Sequence, residues 1–230
     1  MSKQKIFIAC DTLSSKKLNR IISETKTDKL KIVYKIGLEF FFSPKGRIFL
    51  SKLKKKEIFL DLKLNDIPHT CAAAINSLKD LKNITYITVH TNGGLEMLKA
   101  VKKASNKFNK KVKILGVTIL TSFSDSSIKK IGHTKSIKEL VKKQAILARL
   151  AKLDGIVCSG YEAKFLKKIC KNMEIITPGI RFLGDGKGDQ IRVMSPKQAF
   201  KNGATSIVMG RSITKGNIKN NIQKLIRSLN

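Results

Sequence analysis

Acidic residues are scarce in this sequence, with 16 Asp and Glu compared with 47 Lys and Arg, which gives a formal net charge of +31. Arginine is scarce too, since only 7 of the basic residues are Arg. Planar, bidentate recognition of bases and phosphates favours Arg, whereas Lys is a hydrated point charge on a flexible stem. The lysines are scattered along the chain, and Trp is absent. We therefore interpret the charge as a solvated lysine-rich surface and do not expect nucleic acid as a partner.

Long hydrophobic runs are also missing. No stretch approaches the roughly 18 uncharged apolar residues that a membrane-spanning helix needs. The N-terminal segment has a short apolar run, but neither the long apolar region nor the small-residue cleavage site of an export signal. These absences predict a cytoplasmic protein without a membrane partner. With 42% hydrophobic residues in 230, the chain can nevertheless bury a substantial core.

Patterns of metal ligands are absent as well. The four cysteines form no C-x-x-C pair, and the three histidines lie far apart in the sequence. Neither set has the spacing of a zinc site. We expect no metal, and we interpret Cys10, Cys71, Cys158 and Cys170 as free thiols that pack as small apolar side chains.

Short apolar runs alternate regularly with lysine-rich segments of helical spacing. Eight such runs are almost continuously apolar, which is typical of strands buried on both faces. They lie at 6–11, 31–36, 57–62, 84–90, 112–120, 154–159, 174–179 and 205–210. Eight strands alternating with helices predict an α/β fold, a single (β/α)8 TIM barrel with a parallel eight-stranded core over residues 1–230. An open doubly wound sheet is the alternative, but no glycine-rich turn follows the first run.

Two connections are expected to carry polar loops over the mouth of this barrel. About 33 residues separate the fifth run from the sixth, and the polar segment 121–135 lies between them. A second polar segment, 180–190, is rich in Gly and follows the seventh run. Loops of this kind often cover active sites.

Polar residues gather at the carboxyl ends of the predicted strands, where parallel barrels place their active sites. They are Asp11, Lys35, Asp61 with Lys63, His90, Thr121 with Ser122, Ser159, and Gly210 with Arg211. The densest stretch is FLDLKLNDIPHT at 59–70. If the third strand continues through Leu62, Asp61 and Lys63 share one face, because side chains alternate along a strand. A surface ion pair followed by a helix cap is the alternative interpretation of this spacing.

In their order along the chain, these motifs resemble one family. Over essentially its whole length the sequence is similar to the orotidine 5′-phosphate decarboxylase family, of the short bacterial type. The resemblance is carried by IACD (8–11), YKIG (34–37), FLDLKLNDIPHT (59–70), VHTNGG (89–94), VTILTS (117–122), DGIVCS (154–159), ITPGIR (176–181), GDQIRVMSP (188–196) and VMGRSIT (208–214). A DxKxxD pattern alone is shared with sibling sugar-phosphate enzymes. The DIPxT extension, together with TPGIR, GDQ and GR in order, makes the match specific.

The resemblance implies a cofactor-free decarboxylation of orotidine 5′-phosphate to UMP and CO₂ in pyrimidine biosynthesis. It implies that Lys63 is the general acid that protonates C6 and that Asp61 lies beside the substrate carboxylate. Lys35 and Asp66 would complete a catalytic array of alternating charge that keeps Lys63 protonated.

The resemblance also implies which residues bind the substrate. They are Asp11, Lys35, Asp61, Leu62, Lys63, Leu64, Asn65, Asp66, Ile67, Pro68, His69, Thr70, Thr121, Arg181, Gln190, Gly210 and Arg211. Among these, Arg211 is the implied phosphate partner, and Gly210 would let the backbone approach closely. The histidine of VHTNGG, His90, is interpreted as a packing residue near the site and not as a catalyst.

A homodimer is a further implication, because in the family the residues matching Asp66, Ile67 and Thr70 reach into the neighbouring subunit's site. The alternative function is that of a Mg²⁺-dependent sugar-phosphate decarboxylase or aldolase, a sibling of the same barrel. Those relatives have a carboxylate on the second strand where this sequence has Lys35. An ammonium in place of a carboxylate ligand removes the expected metal site.

Overall fold

Eight parallel strands form a closed barrel, in which each strand pairs with the next and the last pairs with the first. The computed structural model describes residues 3–53, 55–108, 112–186 and 192–229. The strands are β1 (Lys5–Ala9), β2 (Lys31–Gly37), β3 (Ile58–Leu64), β4 (Ile84–His90), β5 (Lys113–Val117), β6 (Gly155–Val157), β7 (Glu174–Thr177) and β8 (Ser206–Met209). Each predicted run overlaps one strand, so the (β/α)8 barrel is confirmed. Closure of the sheet excludes the open doubly wound alternative.

Helices follow the strands and cover the barrel. They are α1 (Ser15–Glu24), α2 (Leu38–Phe41), α3 (Gly46–Lys52), α4 (Pro68–Asn76), α5 (Gly94–Phe108), α6 (Asp125–Lys130), α7 (Ile137–Leu150), α8 (Ala163–Ile169), α9 (Pro196–Lys201), α10 (Arg211–Thr214) and α11 (Ile218–Leu229), with a short 3-10 turn at Thr91–Gly93. In the part of the chain that the structure describes, every helix is too short or too polar to cross a membrane.

The polar segment 121–135 differs from its prediction as a loop, because it contains α6. Ser124 caps this helix: its hydroxyl accepts the N–H of Ser127, and the Ser127 hydroxyl accepts the N–H of Ser124. The carboxylate of Asp125 accepts the N–H of Ile137 at 2.8 Å and so connects α6 to the start of α7. Short polar side chains favour caps of this kind. A run of short polar residues can therefore indicate the start of a helix, as it does here, as well as a turn.

Two apolar layers explain why the strands are almost continuously hydrophobic. Alternate residues point inward, where eight of them fill the barrel: Phe7, Ala9, Val33, Phe59, Tyr86, Leu115, Ile176 and Val208. The rings of Phe7 and Phe59 meet edge to face, with centroids 5.0 Å apart. The intervening residues, such as Ile6 and Ile8, face the helices and join the larger outer core. Strands buried on both faces need apolar residues at every position.

Glu174 binds three polar side chains at the amino-terminal end of the barrel. It pairs with Lys5 at 2.9 Å and with Lys113, and the hydroxyl of Tyr86 donates to it at 3.3 Å. Burial alone would raise the pKa of Glu174, but its bonds to Lys113 and Lys5 outweigh burial and lower that pKa. This network closes the barrel floor beneath the ring of Tyr86.

The four cysteines are buried and free, which confirms that they pack as small apolar residues. Burial raises the pKa of Cys10 to about 12 and that of Cys170 to about 11. Thiols with such pKa values stay protonated at neutral pH and are poor nucleophiles.

Candidate active site

A cavity of about 570 Å³ opens at the carboxyl ends of the strands, above the inner layer of the core. Loops and strand ends from around the barrel line it: Ala9, Asp11, Lys35, Phe59, Asp61, Lys63, Val117, Ile119, Leu120, Thr121, Ser122, Val157, Cys158, Pro178, Gly179, Arg181, Val208, Gly210 and Arg211. Sites in parallel barrels are built in this way, with polar groups contributed by several strands. Eight of these residues were predicted from the sequence as catalytic or substrate-binding residues: Asp11, Lys35, Asp61, Lys63, Thr121, Arg181, Gly210 and Arg211.

The alternation of strand side chains carries charged groups from the core into this cavity. Lys35 lies two residues beyond Val33, and Asp61 lies two residues beyond Phe59, both of which belong to the inner layer. Asp11 follows β1 in the same way. Since residues two apart on a strand share a face, the inner layer itself directs these three charges toward the mouth.

Lys63 reaches the cavity through a β-bulge in β3. Between Leu60 and Leu64, the register advances four residues on β3 but only two on β4. Lys63 has a φ of 48°, a left-handed conformation that costs on the order of 1–3 kcal/mol for a non-glycine residue. Its N–H donates to the hydroxyl of Thr88 on β4 at 2.9 Å. Asp61 and Lys63 therefore share the mouth as predicted, but through a bulge and not through regular alternation.

Four charged side chains form an alternating chain of ion pairs. The ammonium of Lys35 lies 3.1 Å from Asp11 Oδ1 and 3.4 Å from Asp61 Oδ2. The ammonium of Lys63 lies 2.8 Å from the same Asp61 oxygen. Lys35 and Asp61 are almost buried, whereas Lys63 is 31% exposed and faces the cavity. One carboxylate thus holds two ammonium groups, and one of them is accessible to a ligand.

The two buried members of this chain stabilise each other's charge. Burial by itself would raise the pKa of Asp61, but the charges of Lys35 and Lys63 outweigh it and lower that pKa. Burial by itself would lower the pKa of Lys35, but Asp61 and Asp11 outweigh it and raise that pKa. Asp61 is therefore an anion and Lys35 a cation at neutral pH.

Two arginines lie at another part of the mouth. Arg181 follows β7 and Arg211 follows β8, and both line the cavity. Gly210 precedes Arg211 directly, and a Cβ there would lie 3.4 Å from the Cβ of Ala9. Guanidinium groups beside an accessible backbone suit a phosphate. The cavity therefore combines two guanidinium groups, whose chemistry suits a phosphate, with a buried array of alternating charge.

Comparison with known proteins identifies the family. A family model described as "Orotidine 5′-phosphate decarboxylase / HUMPS family" matches residues 4–224. This chain belongs to that family. A curated relative from Prochlorococcus marinus (strain MIT 9215), named orotidine 5′-phosphate decarboxylase, is 41% identical over 222 residues, which cover 93% of this chain and 90% of the relative. A relative of the same name from Fusobacterium nucleatum is 38% identical over 231 residues, covering 99% and 96% of the two chains.

Solved structures from the family have the same barrel. The crystal structure of orotidine 5′-phosphate decarboxylase from Lactobacillus acidophilus matches with a TM-score of 0.85 and 31% identity, covering 99% of this chain and all of that one. The enzyme from Methanocaldococcus jannaschii, solved with the inhibitor BMP, matches with a TM-score of 0.77 at 24% identity, a likeness that concerns the fold alone. The resemblance inferred from the sequence motifs is thus confirmed.

The family motif at 59–70 lies partly in the barrel and partly on the surface, and the change comes at the end of β3. Asp61 and Lys63 line the cavity, while Leu62 is buried and Leu64 packs against the outer core. The residues of the motif that follow Leu64 are exposed on this chain: Asn65, Asp66, Ile67, Pro68, His69 and Thr70. Ile67 caps α4 in an extended conformation, with φ −58° and ψ 154°, as expected before a proline. For these exposed residues and for Leu62 and Leu64, substrate contact stays a prediction.

Asp66 is the one predicted catalytic residue that the fold of this chain does not bring to the others. Its carboxylate accepts the N–H of Ile67 at 2.7 Å. Within the described part of the chain, no Lys or Arg forms a salt bridge with it. Gln190, predicted at the phosphate end, lies outside the described residues.

His90 ends β4 close to the charged array. Burial lowers the pKa of its imidazole, and the charge of Lys63 lowers it further against the opposing effect of Asp61. The ring is therefore neutral at physiological pH. His90 is not among the residues that line the cavity, which agrees with its interpretation as a packing residue.

An ion pair that sequence reasoning missed lies in the wall of the mouth. The guanidinium of Arg192 pairs with Glu162, whose other oxygen accepts the N–H of Ser159 at 2.9 Å. The same guanidinium donates to the carbonyl of Leu120 at 3.3 Å, directly before Thr121. The pair thus ties together the segments that follow β5, β6 and β7. Arg and Glu are both rare in this sequence, and that rarity is the sequence signal that could have drawn attention to Arg192 and Glu162.

No group of three or more His, Cys, Asp or Glu side chains among the described residues is arranged to hold a metal ion. In the charged array, the two carboxylates are separated by Lys35, which binds both. The array is therefore arranged to bind an anionic or polar ligand through ammonium groups.

Proposed function

We propose that this chain is a carboxy-lyase that decarboxylates orotidine 5′-phosphate, the reaction that the name of its curated relatives gives for them, and that it forms UMP and CO₂ without a cofactor. The observation that carries the proposal is the accessible ammonium of Lys63, held 2.8 Å from Asp61 at the mouth of the barrel. Family membership over residues 4–224 supports the reaction. The shape and charge of the cavity support the roles of individual residues.

In the proposed complex the substrate lies in the cavity in one orientation. Its 5′-phosphate would bind Arg211 and Arg181 beside the backbone of Gly210, and Gln190 would add a contact at the same end. The ribose would lie by Asp11 and Lys35, and the pyrimidine with its C6 carboxylate would lie over Lys63. Thr121, which lines the cavity and is almost buried, would bind the base.

In the proposed reaction, the bond between C6 and the carboxylate breaks and its electron pair stays on C6. Lys63 then donates a proton from Nζ to C6, CO₂ leaves, and UMP forms. The neutral amine of Lys63 regains a proton from water. Because the ammonium lies beside C6 as negative charge develops there, its stabilisation is greatest in the transition state.

Asp61 would raise the energy of the ground state, in which the substrate still carries its carboxylate. A substrate carboxylate at about 4 Å from it, at an effective dielectric of about 20, is repelled by about 4 kcal/mol. That repulsion is relieved as the carboxylate becomes neutral CO₂. The lowered pKa of Asp61, which follows from Lys35 and Lys63 despite burial, keeps the repelling charge in place.

The proposed active unit is a homodimer. Asp66, Ile67 and Thr70 are exposed on the single chain, and Ile67 is an apolar side chain with 65% of its surface exposed. In the dimer these residues would enter the neighbouring site, where Asp66 would extend the alternating charges beyond Lys63. Their exposure leaves these side chains available for contact with a second chain.

The test is the formation of UMP and CO₂ from orotidine 5′-phosphate by the purified chain in excess EDTA. We expect full activity, because Lys35 lies on β2 where metal-dependent siblings would need a carboxylate. Activity that EDTA abolishes and Mg²⁺ restores would contradict the cofactor-free mechanism. Turnover of a sugar phosphate, with none of orotidine 5′-phosphate, would assign the chain to the Mg²⁺-dependent decarboxylases or aldolases instead.

A further inference from the structure

Thr88 connects the two catalytic candidates of β3 from the neighbouring strand. Its side chain is fully buried. Its hydroxyl donates to Oδ1 of Asp61 at 3.0 Å and accepts the backbone N–H of Lys63 at 2.9 Å. A hydroxyl has one proton to donate and lone pairs that accept, so in these two bonds it is a donor to Asp61 and an acceptor from Lys63.

The first of these bonds fixes the direction of the Asp61 carboxylate. With Oδ1 held by Thr88, Oδ2 is the oxygen that faces both ammonium groups, Lys63 at 2.8 Å and Lys35 at 3.4 Å. A rotation of the carboxylate would exchange these contacts. The hydroxyl therefore selects the orientation in which one oxygen serves both lysines.

The second bond stabilises the unusual backbone of Lys63. The bulge removes this residue from the regular ladder between β3 and β4, and its φ is 48°. Its N–H needs another acceptor, since a buried donor without a partner is costly. The Thr88 hydroxyl provides that acceptor, and the left-handed conformation directs the Lys63 side chain into the cavity.

We propose that Thr88 is a positioning residue for the decarboxylation, which holds the Asp61 carboxylate and the Lys63 backbone in the geometry that the reaction needs. The inference rests on the proposed function. It goes beyond it, because Thr88 does not line the cavity and would not touch the substrate.

The position of Thr88 follows from the same alternation that places the charged residues. It lies two residues beyond Tyr86, an inner-layer residue of β4, and so faces inward at the level of the bulge. Valine has nearly the same shape but neither donates nor accepts. Thr88→Val therefore removes both bonds while it retains the packing of the side chain.

The experiment compares Thr88→Val and Thr88→Ser with Thr177→Val as the matched control. Thr177 is also fully buried at the end of a barrel strand, but its hydroxyl has no hydrogen-bond partner among the described residues. For each variant, kcat and KM for orotidine 5′-phosphate, the Kd for UMP and the thermal midpoint are measured. If Thr88→Val does not fold, the pair Thr88→Ser and Thr88→Ala, which differs by the hydroxyl alone, replaces it.

We expect Thr88→Val to lower kcat by about 10-fold or more, the size that follows from losing a hydrogen bond to a charged group. Its KM and its Kd for UMP should stay within about 3-fold, because phosphate and ribose contacts are untouched. Thr88→Ser and Thr177→Val should keep kcat near the unmodified value.

Three results would overturn the inference: an unchanged kcat in Thr88→Val, an equal loss in Thr177→Val, or a loss of kcat matched by a loss of UMP affinity. These results differ from a failure of the proposed function. If the proposed function fails, the unmodified chain itself forms no UMP.

Discussion

The ammonium of Lys63 lies 2.8 Å from Oδ2 of Asp61, its neighbour but one in the sequence. On a regular strand two such side chains point the same way, but here a bulge turns Lys63 further into the cavity. The carboxylate is nearly buried, so its charge is stabilised by the two lysines and hardly by solvent. An accessible proton donor is thus held beside a fixed negative charge, an arrangement suited to a reaction in which a carboxylate departs and a proton arrives.

Replacing Lys63 should remove the proton donor. Lys63→Ala is expected to lower kcat for UMP formation by about 10³-fold or more, because general acid catalysis contributes about 10²–10⁴-fold and the positive charge is lost as well. The release of CO₂ measures this directly. Lys99→Ala is the control, since Lys99 is half exposed and forms its ion pair among the described residues with Glu96 on α5. A Lys63→Ala enzyme that keeps most of its activity would refute the assigned role.

The shared site of the proposed dimer can be tested by mixing variants. Lys63→Ala and Asp66→Asn should each be inactive as homodimers. In a mixed dimer one of the two sites keeps both residues, so random exchange between symmetric subunits should restore about a quarter of the activity. Exchange is followed independently with subunits of different tag length. Absence of activity despite complete exchange would argue that Asp66 acts within its own chain.

Arg211 should act on binding more than on chemistry. Arg211→Ala is expected to raise the KM for orotidine 5′-phosphate by about 10–100-fold, since a charge-assisted contact to phosphate is lost. Arg227→Ala on α11, the same substitution at an exposed position, is the control. The residual turnover of orotidine, which has no phosphate, should be equal in the variant and the unmodified enzyme. An equal loss on both substrates would place Arg211 in another role.

Glu174 should make stability depend on pH. Its pKa lies below the ordinary value of 4.5, because Lys113 and Lys5 outweigh the effect of burial. A lowered pKa means that the anion stabilises the fold above the unfolded pKa and that this contribution is lost as the pH falls through the folded one. Glu174→Gln should therefore reduce the free energy of unfolding by about 1–3 kcal/mol at neutral pH.

Urea unfolding of both proteins at neutral pH and near pH 3.5 measures this dependence. The difference between them should shrink at the acid pH, because that pH lies below 4.5, the ordinary pKa of the carboxyl in the unfolded chain, and the stabilising contribution declines from there as the pH falls toward the lowered pKa of the folded state. Glu96→Gln, at a carboxylate with 75% exposure, should change little at either pH. A difference that does not vary with pH would show that the ionised form of Glu174 is not what stabilises the barrel floor.

Much of the site could be predicted because it follows from local alternation. Lys35 and Asp61 continue the inward face of Val33 and Phe59, so their position at the mouth follows from the strand pattern. The helix inside 121–135 was not predicted, because Ser and Asp are common both in loops and at helix caps. The pair of Arg192 with Glu162 joins residues 30 positions apart, and no local pattern indicates such a contact.

The sequence by itself determined the eight strands, the family and three of the four residues of the ion-pair chain, Lys35, Asp61 and Lys63. Each of these depends on short-range order, whether apolar runs, alternation or contiguous motifs. The fourth residue is Asp11 and not Asp66, which was predicted in its place. Only the tertiary structure decided how the array is held: the bulge at Lys63, the hydroxyl of Thr88 between Asp61 and that bulge, and the sharing of one carboxylate oxygen by two lysines. These features depend on the register between neighbouring strands, which pairs residues about 25 positions apart and is fixed only when the barrel closes.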